Sequence, residues 1–339
     1  MEVNAKLKNV QDGLKQEKEK ILCIRNLTVH FYTYAGVVKA VDRINLCIYK
    51  EETLGLVGET GCGKSVTASA IMRLIDPPGR IVDGEIIFKG ENLLEKTDQE
   101  MRKIRGNKIA MIFQDPATYL NPVYTIGDQI AEVINEHQGQ SSKHTIKALT
   151  IDALELVRMP DPERIINRYP HELSTGMRQR AMIAMMLSCR PELLIADEAT
   201  TALDVTVQAQ ILHLLNELKK KLHLSILFIT HNFGVVAAIC DRVGVMYAGK
   251  IMELGSTIDI FDNPLHPYTR GLLGAVPKLD QHTQTKLKSI PGTIPSVINP
   301  PPGCRFYPRC DQGSLKCKID EPALKEVEEG HYVSCHLFN

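Results

Sequence analysis

Gly58-Glu59-Thr60-Gly61-Cys62-Gly63-Lys64-Ser65 follows directly on the apolar run Thr53-Leu54-Gly55-Leu56-Val57. The first stretch reads G-x-x-x-x-G-K-S and the second reads as a buried strand, so the pair spells strand, glycine loop, helix. That is the local build of a phosphate-binding loop. The glycines let the backbone curl into a nest of N–H groups around a polyphosphate, and a helix opening at Gly63 adds the positive end of its dipole. Lys64 suits the β- and γ-phosphates, and the Ser65 hydroxyl suits Mg²⁺. The candidate nucleotide site is therefore Gly58, Glu59, Thr60, Gly61, Cys62, Gly63, Lys64, Ser65 and Val66. Within it, Cys62 stands beside Lys64 and a helix N-terminus, a setting that lowers a thiol pKa, so it is expected to be reactive and protected by bound ATP.

Composition bounds the rest. A chain of 339 residues with 44% hydrophobic content can bury a sizeable core in about two domains. Forty basic and forty acidic residues cancel, which leaves no electrostatic footprint for a nucleic-acid backbone or an anionic membrane. The longest apolar stretches, around 181–189 and 222–229, fall short of the ~18 to 20 residues that span a bilayer, so any membrane must come with a partner. Residues 1–20 carry five lysines and four acidic residues and lack an apolar core; they read as a solvated leader and not as a secretion signal.

Beyond residue 20 the pattern alternates between strand and helix, as in an α/β domain. Strands are expected at 21–32, 37–49, 85–89 and 108–113, and a helix at 65–75 that Pro77-Pro78-Gly79 ends. Helical periodicity at 126–136, 145–157 and 162–167 marks a separable helical subdomain within about 115–190. Cys23, Cys47, Cys189 and Cys240 read as small buried hydrophobes.

Three further signals share the frame. Leu193-Leu194-Ile195-Ala196-Asp197-Glu198 is a buried strand ending in two carboxylates, which suits a metal-holding aspartate followed by an acid that activates water. Gln114 and His231 each follow a strand, at the carboxyl ends where open α/β sheets bind ligands.

With Leu173-Ser174-Thr175-Gly176-Met177 and Ala202-Leu203-Asp204 added, the order of motifs from about residue 21 to 260 resembles the ATP-binding-cassette ATPases. The resemblance implies an α/β fold: a RecA-like P-loop core, an antiparallel β subdomain and a helical signature subdomain. It implies that Lys64 and Ser65 bind phosphate and Mg²⁺, that Asp197 and Gln114 serve the Mg²⁺ site, that Glu198 is the general base, and that His231 meets the γ-phosphate. Ser174, Thr175 and Gly176 would act across a dimer on a partner's nucleotide, with Asp204 in the same interface. The family stacks an aromatic on adenine; Phe31, Tyr32 and Tyr34 are all candidates. Thr175 departs from the family pattern, which has glycine there: either the position tolerates a small side chain, or the threonine weakens the site built on the partner's phosphate loop.

Gln114-Asp115-Pro116-Ala117-Thr118-Tyr119-Leu120-Asn121-Pro122, Asn263-Pro264-Leu265-His266-Pro267-Tyr268-Thr269-Arg270 and a cysteine-bearing tail narrow the likeness to oligopeptide/dipeptide permease ATP-binding subunits. That implies a second ATPase subunit forming a heterodimer, two membrane permeases, an extracytoplasmic solute-binding protein, and a peripheral place on the cytoplasmic face of the membrane. A metal-chelate importer is the alternative within transport. A soluble ATPase acting on ribosomes or DNA is the alternative outside it, and the balanced charge and absence of heptads argue against that. The expected division is a leader at 1–20, the ATPase domain at 21–262 and an extension at 263–339.

In the tail, Cys304, Cys310, Cys317 and Cys335 are spaced too widely for the tight pair of a typical zinc site. The family includes members with a four-iron cluster at matching positions, so the resemblance implies a [4Fe–4S] cluster; Zn²⁺, with His331 or His336, is the alternative. The role is expected to be structural, leaving ATP binding untouched.

Overall fold

The computed structural model describes residues 19–113, 116–139, 142–200, 203–275 and 290–338. Two sheets dominate. The first is antiparallel, with β1 (Lys20–Thr33), β2 (Gly36–Tyr49), β4 (Gly79–Phe88) and β5 (Glu91–Asn92) in the order β2-β1-β4-β5. The second combines β3 (Thr53–Val57), β6 (Ile109–Ile112), β7 (Leu193–Asp197), β8 (Ser225–Thr230), β9 (Arg242–Tyr247) and β10 (Lys250–Ser256) with β11 (Lys325–Glu328) and β12 (His331–Val333). Its eight strands run β11-β12-β10-β9-β3-β8-β7-β6, and β9, β3, β8, β7 and β6 are parallel.

The central strands form where the sequence is rich in Leu, Ile, Val and Phe, because both faces of a parallel sheet are covered. Ile226 and Phe228 of β8 join one core with Leu194 and Ala196 of β7, and that core also holds the helical side of the molecule. Leu227 and Ile229 join the other core with Leu193, Ile195, Leu54 and Leu56, beneath the antiparallel sheet. The helices start at polar caps, as expected for residues that satisfy free N–H groups. Thr125 and Asp128 form a reciprocal capping box on the helix Ile126–Gln138, and Ser142 caps Lys143–Leu156.

Several sequence expectations shift. The helix after the phosphate loop ends at Ile71, short of the prolines, and β4 begins at Gly79, where its first residues pair with β1. Cys23 and Cys47 are not separate hydrophobes: they face each other in the β1–β2 register and are joined by a disulfide of 2.08 Å. The pairing depends on register, which neither local stretch reveals.

The C-terminal residues complete the main sheet. β12 pairs with β10 through Glu253↔Val333 and Leu254↔Tyr332. At this seam Glu253 is fully buried; its oxygens accept from the N–H of Leu265 (2.7 Å) and His266 (2.9 Å), and its Oε1 lies 2.8 Å from His331 Nε2. Burial alone would raise the Glu253 carboxyl, but the His331 contact and the backbone donors outweigh it and hold it below the ordinary glutamate value. Burial would lower the His331 pKa, but the bond to Glu253 overcomes it and raises the ring above its ordinary value.

Losing one member of such a pair strands the other in the core, so Glu253→Gln is expected to cost about 3–5 kcal/mol in denaturant melts. The sign of the pH dependence follows from the two shifts. The raised His331 contributes fully below its ordinary value of 6.5 and loses that contribution as pH rises through its folded value; the lowered Glu253 contributes fully above 4.5 and loses it as pH falls. The stability gap between wild type and Glu253→Gln should therefore be widest between pH 4.5 and 6.5.

Candidate functional site

The phosphate loop is shaped by lack of room. Gly58 has φ +153° and an added Cβ would lie 2.0 Å from Met246 O; Gly63 has φ +109° and an added Cβ would lie 2.5 Å from Ala40 O. Only glycine meets both demands. Gly63 then starts the helix Lys64–Ile71, with Val66 half-buried against the core behind it. Thr60, Gly61 and Ser65 are exposed, whereas Lys64 is buried and its Nζ donates to Gly58 O (2.8 Å) and Glu59 O (3.0 Å). The ammonium thus lies folded across the loop it serves.

Strand register brings the other groups to this edge. β3 pairs with β8 through Val57↔Thr230, and β7 pairs with β8 through Asp197↔Ile229, so Gly58, Glu198 and His231 follow strands that end side by side. Ser65 Oγ donates to Asp197 Oδ1 at 3.0 Å. Burial pushes the Asp197 carboxyl above its usual range; the Ser65 bond pulls the other way, and the Glu198 charge adds to the rise. Glu198 itself has φ +48°, unusual for a side chain with a Cβ, and its N–H donates to Ile229 O at 3.0 Å. Its Oε1 lies 3.3 Å from His231 Nδ1. An oxygen-rich pair, Ser65 and Asp197, beside a cationic cradle fits a Mg²⁺–polyphosphate, since Mg²⁺ prefers oxygen ligands. Gln114 and Ala202 lie outside the described residues.

Cys62 departs from expectation. Its side chain has no solvent exposure, and burial pushes the thiol up against the opposing pull of Lys64. That burial suits a small residue filling the loop's floor and runs against the expected reactivity.

Ser174 and Thr175 are exposed at the start of the helix Thr175–Leu187, and Ser174 Oγ accepts from the N–H of Met177 at 3.3 Å. An added Cβ on Gly176 would meet Val207 Cγ1 at 3.0 Å. Asp204 caps the next helix, Val205–Leu222, by accepting from the N–H of Val207 at 2.9 Å. Gly176 and Asp204 thus both lie against Val207. Among the aromatics, Phe31 packs on the core, Tyr32 lies under the Arg80 guanidinium at 5.7 Å, and Tyr34 is fully exposed.

Two residues to which the sequence assigned no role at the nucleotide site touch the loop: Tyr268, of the 263–270 stretch, and Arg309. Tyr268 Oη accepts from the Glu59 N–H at 3.0 Å, and Arg309 Nη1 donates to the Glu59 carboxylate at 2.9 and 3.0 Å. They stand 209 and 250 residues away in the chain, so no local pattern signals them. The tail thus touches the phosphate loop directly through Arg309.

The four tail cysteines line one small enclosed cavity with Phe306 and Tyr307. Backbone N–H groups of Phe306 and Tyr307 point at Cys304, that of Gln312 at Cys310 and that of Leu337 at Cys335. Burial pushes the Cys304 thiol to about 11. Among the described residues no three His, Cys, Asp or Glu side chains gather closely enough to hold a single metal ion. For the zinc alternative, His331 is committed to Glu253, whereas His336 lines the cysteine cavity with Nε2 2.9 Å from Asp320 O and Nδ1 buried without a hydrogen-bond partner among the described residues.

Comparison with known proteins follows the same outline. The ABC transporter family model matches residues 41–201, and the model for the oligopeptide/dipeptide transporter C-terminal region matches 252–317. The chain is 51% identical over 320 residues to a probable peptide ABC transporter ATP-binding protein of Sinorhizobium fredii, covering 94% of this chain and 95% of that one. It is 50% identical to the dipeptide transport ATP-binding protein DppD of Bacillus subtilis, again over 94% and 95%. Among solved structures it is similar to a dimeric ATP-binding cassette in a post-hydrolysis state with ADP and phosphate, at TM-score 0.62 and 25% identity, over 70% of this chain and 98% of that chain. It is also similar to cbiO1 of Clostridium perfringens, part of an ABC transporter complex, at TM-score 0.63 and 26% identity, over 73% and 92%. With a phosphate loop, paired carboxylates and signature residues exposed at a helix start, the chain belongs to the ABC transporter family as an ATP-hydrolysing subunit of the oligopeptide/dipeptide type.

Proposed function

We propose that this subunit powers import of di- or oligopeptides, paired with a second ATPase subunit and seated on two permease subunits that a solute-binding protein loads. The observation that carries the chemistry is the shared strand edge that aligns Ser65, Asp197, Glu198 and His231. The peptide substrate rests on the near-full-length relatives and on the matched C-terminal region. Among the described residues no helix is long and apolar enough to cross a membrane, which suits a peripheral subunit held at the cytoplasmic face by its permeases.

In this reading Lys64 leaves the Gly58 and Glu59 carbonyls for the β- and γ-phosphates. Ser65 and Asp197, with Gln114, hold Mg²⁺, which supplies neutralisation of the phosphate oxygens. Glu198 takes the proton of the attacking water, and His231, within reach of its carboxylate, steadies it and faces the γ-phosphate. Ser174 and Gly176 close over nucleotide on the partner, with Asp204 at the same interface, and Tyr34 is the aromatic offered to adenine. The domain boundaries follow the same reading: a leader to residue 20, the ATPase to 262 and the extension beyond.

The tail cysteines are read as ligands of a [4Fe–4S] cluster. Convergence of four thiols on one cavity and backbone donors aimed at three of the sulfurs support this, since such hydrogen bonds accompany iron–sulfur ligation. Protein purified without oxygen is expected to be brown, with broad visible absorption lost on changing Cys304, Cys310, Cys317 or Cys335 to Ser; colourless protein containing stoichiometric zinc would reject the cluster.

Glu198→Gln is expected to retain ATP binding and to slow hydrolysis at this chain's own site by about 10²- to 10⁴-fold, the range of acid–base catalysis. Near-normal turnover in the assembled complex would remove Glu198 from that role. In the Glu198→Gln background, adding Thr175→Gly is expected to raise the residual activity that comes from the partner's site. Equal residual rates with and without Thr175→Gly would mean that the threonine is tolerated without effect.

A further inference from the structure

The loop between Cys304 and Cys310 reaches the phosphate loop from two sides. Arg309, almost wholly buried, donates from Nη1 to both Glu59 oxygens and to Tyr247 Oη at 3.3 Å, while its Nε donates to Pro291 O at 2.9 Å. Arg305 donates to Ala248 O and to the Asp42 carboxylate. The turn that Arg305 holds is the one whose Gly249 N–H donates to Cys62 O at 2.8 Å. Between the two arginines, Phe306 packs its ring 5.3 Å from those of Tyr247 and Tyr268, and Tyr268 accepts from the Glu59 N–H.

Glu59 is therefore held at its side chain by Arg309, at its N–H by Tyr268 and at its carbonyl by Lys64. The placement also meets an electrostatic need. A carboxylate inside an anion-binding loop repels a polyphosphate unless a cation answers it, and a guanidinium fork does so while fixing direction.

We propose that Arg309 is a positioning residue for ATP: by clamping Glu59 it sets the first turn of the phosphate loop in its binding shape, so nucleotide affinity depends on the C-terminal extension. Arg309 does not meet the nucleotide, and the bond-breaking step belongs to other groups. Its loss should fall on affinity and leave the chemical step alone.

The test measures Kd for ATP by calorimetry on the purified full chain, and KM and kcat in the assembled complex, with melting temperature as a fold control. Arg309→Ala is expected to raise Kd and KM about tenfold with kcat at saturating ATP within about twofold, a size typical of coupled contacts. Arg309→Lys, which keeps the charge and loses the fork, should raise Kd about threefold. Adding Glu59→Gln to Arg309→Ala should weaken binding no further, because both changes remove one contact. A wild-type Kd in Arg309→Ala, or losses that multiply in the double variant, would overturn the proposal. If Arg309→Ala does not fold, Arg309→Lys decides, and an unchanged Kd there overturns it equally.

Discussion

Everything at the nucleotide edge depends on three parallel strands stopping on one line. Val57 opposite Thr230 and Asp197 opposite Ile229 fix where Gly58, Glu198 and His231 emerge. The hydrogen-bonded ladder sets this geometry, and the alternating side chains of β7 and β8 lock it by filling two cores at once. A slip of one residue would exchange the sets that face each core and carry Glu198 away from Ile229 O, the acceptor that holds its left-handed backbone. The acid side chain is aimed by the sheet, with little contribution from its own preferences.

The parts read correctly from sequence were those whose physics is local. A glycine loop between an apolar strand and a helix needs only eight consecutive residues to declare itself, and strands buried on both faces show as uninterrupted apolar runs. What stayed hidden was non-local. The Cys23–Cys47 bond depends on the β1–β2 register, and the burial of Cys62 depends on a floor built by distant residues. A helix N-terminus and a lysine did lie beside that thiol, as the sequence suggested, but desolvation is the larger influence and reverses the expected direction.

The extension illustrates the same division. Its cysteines are plain in the sequence, yet its largest structural contribution is the pairing of β12 with β10, which carries the sheet past the edge that β10 would otherwise present. The new outermost strand, β11, is only Lys-Glu-Val-Glu and exposed along its length, a short charged border of the kind that discourages further strand addition. Glu253 and His331 fasten this border from inside the core.

The Arg309–Glu59 contact also imposes an order on biosynthesis. The phosphate loop is translated early, whereas its guanidinium clamp is encoded 250 residues later. At roughly 5–20 residues per second, a nascent chain carries an unclamped loop for on the order of 10 to 50 s. During that interval the strand β3 also waits for its neighbours β8 and β9, which are themselves distant in the chain. A ribosome-bound cassette is thus a chain with its nucleotide motif written and its arginine clamp still to come.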